Sequence, residues 1–111
     1  MVSVRIKRSK TGVLLGCCAE GHAGYAGQGS DIVCSAVSVL IRTTMQVVSG
    51  LPGVNLESNI ARRGFVEFKV LSDFSSDVEE KLKFAGDFLQ AGLESVAREF
   101  PDNLKLVINS L

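Results

Sequence analysis

Val2, Val4 and Ile6 alternate with Ser3, Arg5 and Lys7, the period-two pattern of a strand with one face covered and the other in water. The alternation stops at Ser9-Lys10-Thr11-Gly12, a run of turn formers, so a hairpin is predicted there. The segment that follows, Val13-Leu14-Leu15-Gly16-Cys17-Cys18, is apolar without alternation, which predicts an inner strand covered on both faces and ending just before Gly21 and His22. Residues 32–48 then run about five turns without Gly or Pro, until Ser49-Gly50-Leu51-Pro52-Gly53 stops them. Their β-branched content favours strand, but the length decides for helix, with Ser30 or Asp31 as its N-cap. Apolar side chains occur nearly all round it (Ile32, Val33, Val37, Val39, Leu40, Ile41, Val47, Val48), which predicts a central helix covered on more than one side.

Alternation returns at 54–58 and 65–71, flanking a connection that carries Arg62 and Arg63, and predicts a second hairpin. Ser76-Asp77-Val78-Glu79 has the S-x-x-E form of a capping box. After it Val78, Leu82, Ala85, Leu89, Leu93, Val96 and Phe100 recur at steps of three and four, one amphipathic stripe ended by Pro101. Residues 104–108 make a last strand. The order is strand-strand-helix, the same again, and a final strand. That predicts an α+β fold, a single domain over 1–111, with helices packed on a mainly antiparallel sheet.

Composition narrows the partners. A chain of 111 residues supports one core and not two. Twelve basic and twelve acidic residues cancel, so no global field draws the chain to nucleic acid or an anionic membrane, and a partner must be recognised locally. Arg5, Lys7, Arg62 and Arg63 read as solvated charges. The N-terminal stretch lacks the hydrophobic run of a signal peptide, and three cysteines, two adjacent as Cys17-Cys18, suit free thiols in a reducing compartment. A cytoplasmic protein is expected. The longest apolar stretch is interrupted by Arg42, Gln46 and hydroxyls, and reads as a buried helix that falls short of a membrane span.

Candidate chemistry is concentrated between His22, the only histidine, and Cys34. His22 follows a strand end. Glycines at 24, 27 and 29 then make a loop over residues 23–30 that can act as a lid, and an acidic residue opens the helix that carries Cys34. A free thiol titrates near pH ~8.5, and the thiolate is the nucleophile. With Asp31 as N-cap, Cys34 takes the third helical position, where the dipole favours an anion by about 0.3–1 kcal/mol. That is well under one pKa unit at ~1.36 kcal/mol per unit, so a cationic neighbour is needed as well. His22 is the residue that can supply both the charge and a proton for a leaving amine. Unpaired N–H groups at the helix start would stabilise an oxyanion. Asp31 would cap the helix or orient the imidazole, and Ser38, one turn beyond Cys34, would bond to substrate or loop.

Each residue also has a plainer reading. A cysteine in an apolar helix is most often a core residue, a lone histidine is most often structural or solvated, and Ser38 can bond an upstream carbonyl. A zinc site from His22, Cys34 and Cys17 or Cys18 lacks the paired CxxC spacing of such sites. Three functional classes stay open on these residues: a cysteine peptidase, a non-enzymatic peptide-binding protein, and a cysteine-dependent acyltransferase or deacylase.

The segment Gly21-His22-Ala23-Gly24-Tyr25-Ala26, with Gly29-Ser30-Asp31-Ile32-Val33-Cys34-Ser35-Ala36-Val37-Ser38, resembles the signature of the ribosomal-processing cysteine protease family, called Prp. The resemblance implies a bacterial endopeptidase that removes a short N-terminal extension from a large-subunit ribosomal protein. It implies a homodimer working in the cytoplasm with no metal or other cofactor, and no direct contact with nucleic acid or membrane. By position it makes Cys34 the nucleophile, His22 the general acid and base, Asp31 and Ser38 supporting residues, and Gly21, Ala23, Gly24, Tyr25 and Gly29 part of a substrate loop. Ser35 stands where the family often has alanine, and Cys17 and Cys18 lie outside the signature.

Overall fold

A computed structural model describes residues 1–21, 28–60, 64–71 and 75–110, and of residues 28–31 the backbone alone. The elements are β1 (Val2–Arg8), β2 (Leu14–Glu20), α1 (Gln28–Ser49), β3 (Asn55–Asn59), β4 (Phe65–Leu71), α2 (Ser76–Glu99) and β5 (Leu104–Ser110), in the order the sequence predicts. They form one α+β unit. The sheet runs β3-β4-β2-β1-β5, antiparallel at every junction except β1–β5, which is parallel.

This topology puts both helices on one face. From β2 the chain crosses through α1 to β3, passing β4, and from β4 it crosses through α2 to β5, passing β2 and β1. The two crossovers start on oppositely directed strands and move in opposite lateral directions. Right-handed connection therefore sends each helix to the same side. There Val33, Val37, Ile41 and Val48 of α1 and Val78, Leu82, Leu89 and Leu93 of α2 meet Val4, Ile6, Leu14, Cys17 and Phe68 of the sheet. Each large apolar side chain so buried contributes about 1.5–3 kcal/mol.

Several details depart from the sequence expectations. β2 is the middle strand, but its faces are unlike: Leu14, Cys17 and Ala19 are buried, whereas Leu15 and Cys18 are half-exposed on the side without helices. The register slips there, with Lys7 opposite Gly16 and Arg8 opposite Leu14, so Leu15 is an extra residue. A bulge of this kind lets Leu14 and Cys17, three apart, face the same side, and it erases the alternation that would have shown one face to be open. Helix α1 starts at Gln28 rather than Ile32, which puts Asp31 and Gly29 inside its first turn and makes Cys34 its seventh residue. Once nucleated, a helix gains a hydrogen bond per added residue, enough to offset the ~1 kcal/mol disadvantage of Gly29. Helix α2 is capped one residue early: Ser75 is extended, its carbonyl receives the Glu79 N–H at 3.0 Å, and its hydroxyl makes no capping bond. Ser76 is therefore the first helical residue, not the cap of an S-x-x-E box.

Helix α1 is also less covered than its composition suggests. Ile32, Val39 and Val47 are 53%, 63% and 60% exposed, because sheet and α2 reach only part of its circumference. By length and composition Ile32–Ser49 would pass for a membrane span, contrary to the expectation from its polar residues, but its buried side chains are core of this fold.

Candidate active site

The site lies where β2 ends, β1 and β4 begin, and α1 passes over them. Gly21 terminates β2 with φ +152°, a conformation reserved for glycine. An added Cβ would meet the Met1 carbonyl oxygen at 2.5 Å and Val2 Cα at 2.8 Å. The Gly21 N–H donates to the Gly64 carbonyl at 2.9 Å. The backbone is thus pinned between β1 and β4 immediately before His22, so the point from which the chain departs toward that residue is fixed. His22, Ala23, Gly24 and Tyr25 lie outside the described residues.

Beside Gly21 is an open cleft of about 470 Å³. One wall is the α1 face bearing Cys34, Ser38 and Arg42 at steps of four, with Val37 between them. The opposite wall is built from Val2, Ala19, Glu20, Phe65 and Val66, with Ile60 and Gly64 at its margin. Three residues expected in the site, Gly21, Cys34 and Ser38, are brought together here. Cys34 is half-buried, so its Sγ is screened from bulk water yet reachable from the cleft. Ser38 makes no hydrogen bond among the described residues, whereas Thr44, six residues further, spends its hydroxyl on the Leu40 carbonyl at 2.8 Å. The upstream-carbonyl role considered for Ser38 is therefore not the one it takes, and its hydroxyl stays accessible in the cleft.

The helix start at Gln28 changes the electrostatics expected of Cys34. The N–H groups that a helix leaves unpaired are its first four, here those of residues 28–31. The Cys34 amide is interior to the helix, so it is not among the orphan donors that were to hold an oxyanion. Asp31, at the fourth position, is not the cap. The other two thiols are in different surroundings. Cys17 is 2% exposed in the core, and burial, then Cys18, pushes its pKa up to about 12. Cys18 sits on the open face with Arg5 and Glu67 as its cross-strand neighbours; burial first, then Glu67 and Glu20, raises its pKa against the opposing pull of Arg5 and Lys7. All three cysteines are free. Among the described residues no group of three His, Cys, Asp or Glu side chains converges on a metal site.

Sequence reasoning missed Arg42, Val37, Glu20, Ile60 and Phe65. The step of four that pointed from Cys34 to Ser38 would, taken once more, have reached Arg42. For Phe65 no local signal exists, since the β2–β4 pairing sets it opposite Glu20, and Ile60, just past β3, depends likewise on the β3–β4 pairing.

The fold and cleft define a small α+β domain with a half-buried thiol, Cys34, on the wall of an open cleft. Comparison with known proteins agrees with that class. The family model described as cysteine protease Prp matches residues 1–105. The ribosomal processing cysteine protease Prp of Bacillus subtilis (strain 168) is 26% identical over 110 residues, 98% of each chain. A crystal structure of a Streptococcus mutans protein superposes with TM-score 0.77 at 26% identity, covering 100% of this chain and 96% of that one. At 18% identity the fold is shared with the ribosomal processing protease Prp from S. aureus, solved with a substrate peptide, at TM-score 0.81 over 98% of this chain and 100% of that one. This chain belongs to the Prp family of cysteine proteases, and is accordingly a hydrolase acting on peptide bonds.

Proposed function

We propose that this protein removes a short N-terminal extension from a large-subunit ribosomal protein, with Cys34 as nucleophile and His22 as general acid and base. The observation that carries the reading is the position of Cys34 on the wall of a cleft beside Gly21, the residue that delivers the chain to His22. The ribosomal substrate is supported by the names of the relatives and by the S. aureus structures, one with a substrate peptide and one with a covalently linked product peptide.

The chemistry is acyl transfer. Cys34 Sγ, its proton taken by His22, forms a bond to the scissile carbonyl carbon. The tetrahedral intermediate collapses, the C–N bond breaks, and His22 protonates the departing amine. His22 then takes a proton from water, the resulting hydroxide adds to the thioester, and C–S cleavage releases the acid and the thiolate. Ser38 holds the peptide in this reading, supported by its position in the cleft and the absence of a hydrogen bond among the described residues. Asp31 orients His22 in this reading, the alternative to the capping role that a helix start three residues earlier disfavours. No step requires a metal or cofactor. The three free cysteines suit the bacterial cytoplasm, the compartment of this reading.

The protein works as a homodimer in this reading, and the outer face of the helices supports it. Phe84 and Phe88 of α2 are 73% and 57% exposed, beside Val47 of α1. At about 200 Å² per ring the two phenylalanines of each copy offer roughly 260 Å² of apolar surface. Two copies supply some 500 Å², an apolar centre for the ~1,200–2,000 Å² that a stable interface buries.

The test is incubation of the protein and its Cys34→Ala variant with the extended form of the ribosomal protein from the same organism, read by intact mass. One defined N-terminal loss with the parent and none with the folded variant is expected. Cleavage by Cys34→Ala would remove the nucleophile assignment. Binding without cleavage by either would favour a non-enzymatic assembly factor, and hydrolysis of small acyl esters alone would favour a deacylase.

A further inference from the structure

Arg42 carries a charge at the cleft that the thiol chemistry does not use. It lines the cleft with Cys34 and Ser38, it is exposed, and among the described residues it makes neither ion pair nor hydrogen bond. Arg8 shows the contrast: its guanidinium is bonded to four acceptors and belongs to the fold. A guanidinium on a cleft wall with no partner among the described residues is available to something that enters the cleft.

Position along α1 says which part of a substrate it would meet. Arg42 is eight residues beyond Cys34, roughly 12 Å at 1.5 Å per residue. An extended peptide advances about 3.3 Å per residue. A peptide lying along α1 with its scissile carbonyl at Cys34 therefore brings its third or fourth residue from the cut beside Arg42. The guanidinium has five N–H donors in a planar fork and no acceptor, so it selects oxygen acceptors, carboxylates best of all. Ile60 and Phe65 line the same cleft, apolar surface that a bound peptide would cover.

We propose that Arg42 is a specificity-determining residue whose guanidinium binds an oxygen acceptor of the substrate peptide three or four residues from the scissile bond. The proposal rests on the Cys34 peptidase reading and deepens it. The acceptor belongs either to an acidic side chain or to the peptide main chain, and the experiment separates these.

Peptides spanning the cleavage site are made with Glu, Gln, Ala or Lys at the third and fourth positions on either side of the cut, together with versions truncated short of them. Steady-state kinetics are measured for the parent, Arg42→Ala and Arg42→Glu, with melting temperatures recorded alongside. With a side-chain acceptor, the parent prefers Glu to Lys at one of these positions by about tenfold in kcat/KM, carried by KM, and Arg42→Glu reverses the preference. With a main-chain acceptor, Arg42→Ala raises KM about tenfold for every full-length peptide and leaves the truncated ones unaffected. Either pattern supports the proposal, provided the melting temperatures of the variants match the parent. Equal KM for all peptides in parent and variants would overturn it while leaving the peptidase reading intact. Failure of the parent to cleave any peptide would remove that reading and the role of Arg42 with it.

Discussion

Replacing Gly86 by alanine should destabilise this protein, although the same change in a solvated helix stabilises it by about 1 kcal/mol. Gly86 is buried in the middle of α2 beneath the Arg8 side chain, and an added Cβ would meet Arg8 Nη2 at 2.9 Å, Cζ at 3.0 Å and Nε at 3.1 Å. The guanidinium cannot step aside cheaply. Its Nε and Nη2 donate to the Gly12 carbonyl at 3.0 and 2.8 Å, Nη1 to Gln90 Oε1 at 2.9 Å, and Nη2 also to the Lys83 carbonyl at 3.0 Å and Asp87 Oδ1 at 2.7 Å. Moving it lengthens several of these at once, each worth ~0.5–1.5 kcal/mol, and more at Asp87. Overpacking of this kind costs about 1–3 kcal/mol, so after the helix gain the net loss is roughly 0–2 kcal/mol.

The double-mutant cycle sharpens this. In an Arg8→Ala background nothing opposes the new methyl, and Gly86→Ala should stabilise by about 1 kcal/mol, a reversal of sign with a coupling of ~1–3 kcal/mol. Gly92→Ala is the control on the same helix, since its Cβ would press only on the terminal methyls of Leu40, at 2.8 and 3.2 Å, which can rotate away. Urea unfolding of the five proteins at matched m-values supplies the numbers. If Gly86→Ala stabilises equally with and without Arg8, the guanidinium is not held as described and the reasoning fails.

Two further predictions follow from burial. The Cys17 thiol, raised from 9.0 to about 12, keeps its proton in the folded state where the unfolded chain has lost it; stability therefore falls as pH rises from 9 to 12, by about 4 kcal/mol in all. The Cys17→Ala variant, less stable at neutral pH, should lose that part of the alkaline slope in pH-dependent unfolding, and an unchanged slope would refute the assignment. For the helix face, Phe84→Ser and Phe88→Ser should convert a dimer into a folded monomer in sedimentation at micromolar concentration, whereas a monomeric parent under the same conditions would remove the dimer from the functional reading.

What the sequence showed of the fold depended on whether a pattern was local. The strand β1 and helix α2 were legible because one face of each meets a continuous core, and alternation or three-four spacing records that directly. The open face of β2 was not, because the bulge at Leu15 shifts the inward parity from even to odd positions and makes a one-sided strand look two-sided. The exposure of Val39 and Val47 was not legible either. Composition shows that a helix can be covered all round, but whether the cover comes from its own chain depends on where sheet and α2 end. The parallel β1–β5 pairing, with Val2 opposite Leu104, joins segments about a hundred residues apart and leaves no mark in either.

The candidate site divides the same way, and the cysteines show why the structure adds to a motif. Sequence offers three thiols, and the resemblance selects Cys34; the surroundings supply an independent reason to set the others aside. Ionising Cys17 would place a charge in the core against Phe68 and Ile6, its neighbours across the sheet, and a pKa pushed up to about 12 leaves it about 1,000-fold less thiolate than an ordinary cysteine. Cys18 lines a different groove, with Glu20 and Glu67 opposing its ionisation. Cys34 alone shares a cleft with the Ser38 hydroxyl and the Arg42 guanidinium, two groups suited to a bound peptide and not needed by the fold. A sheet that buries one thiol and leaves a second beside carboxylates thus supports the third as the proposed nucleophile.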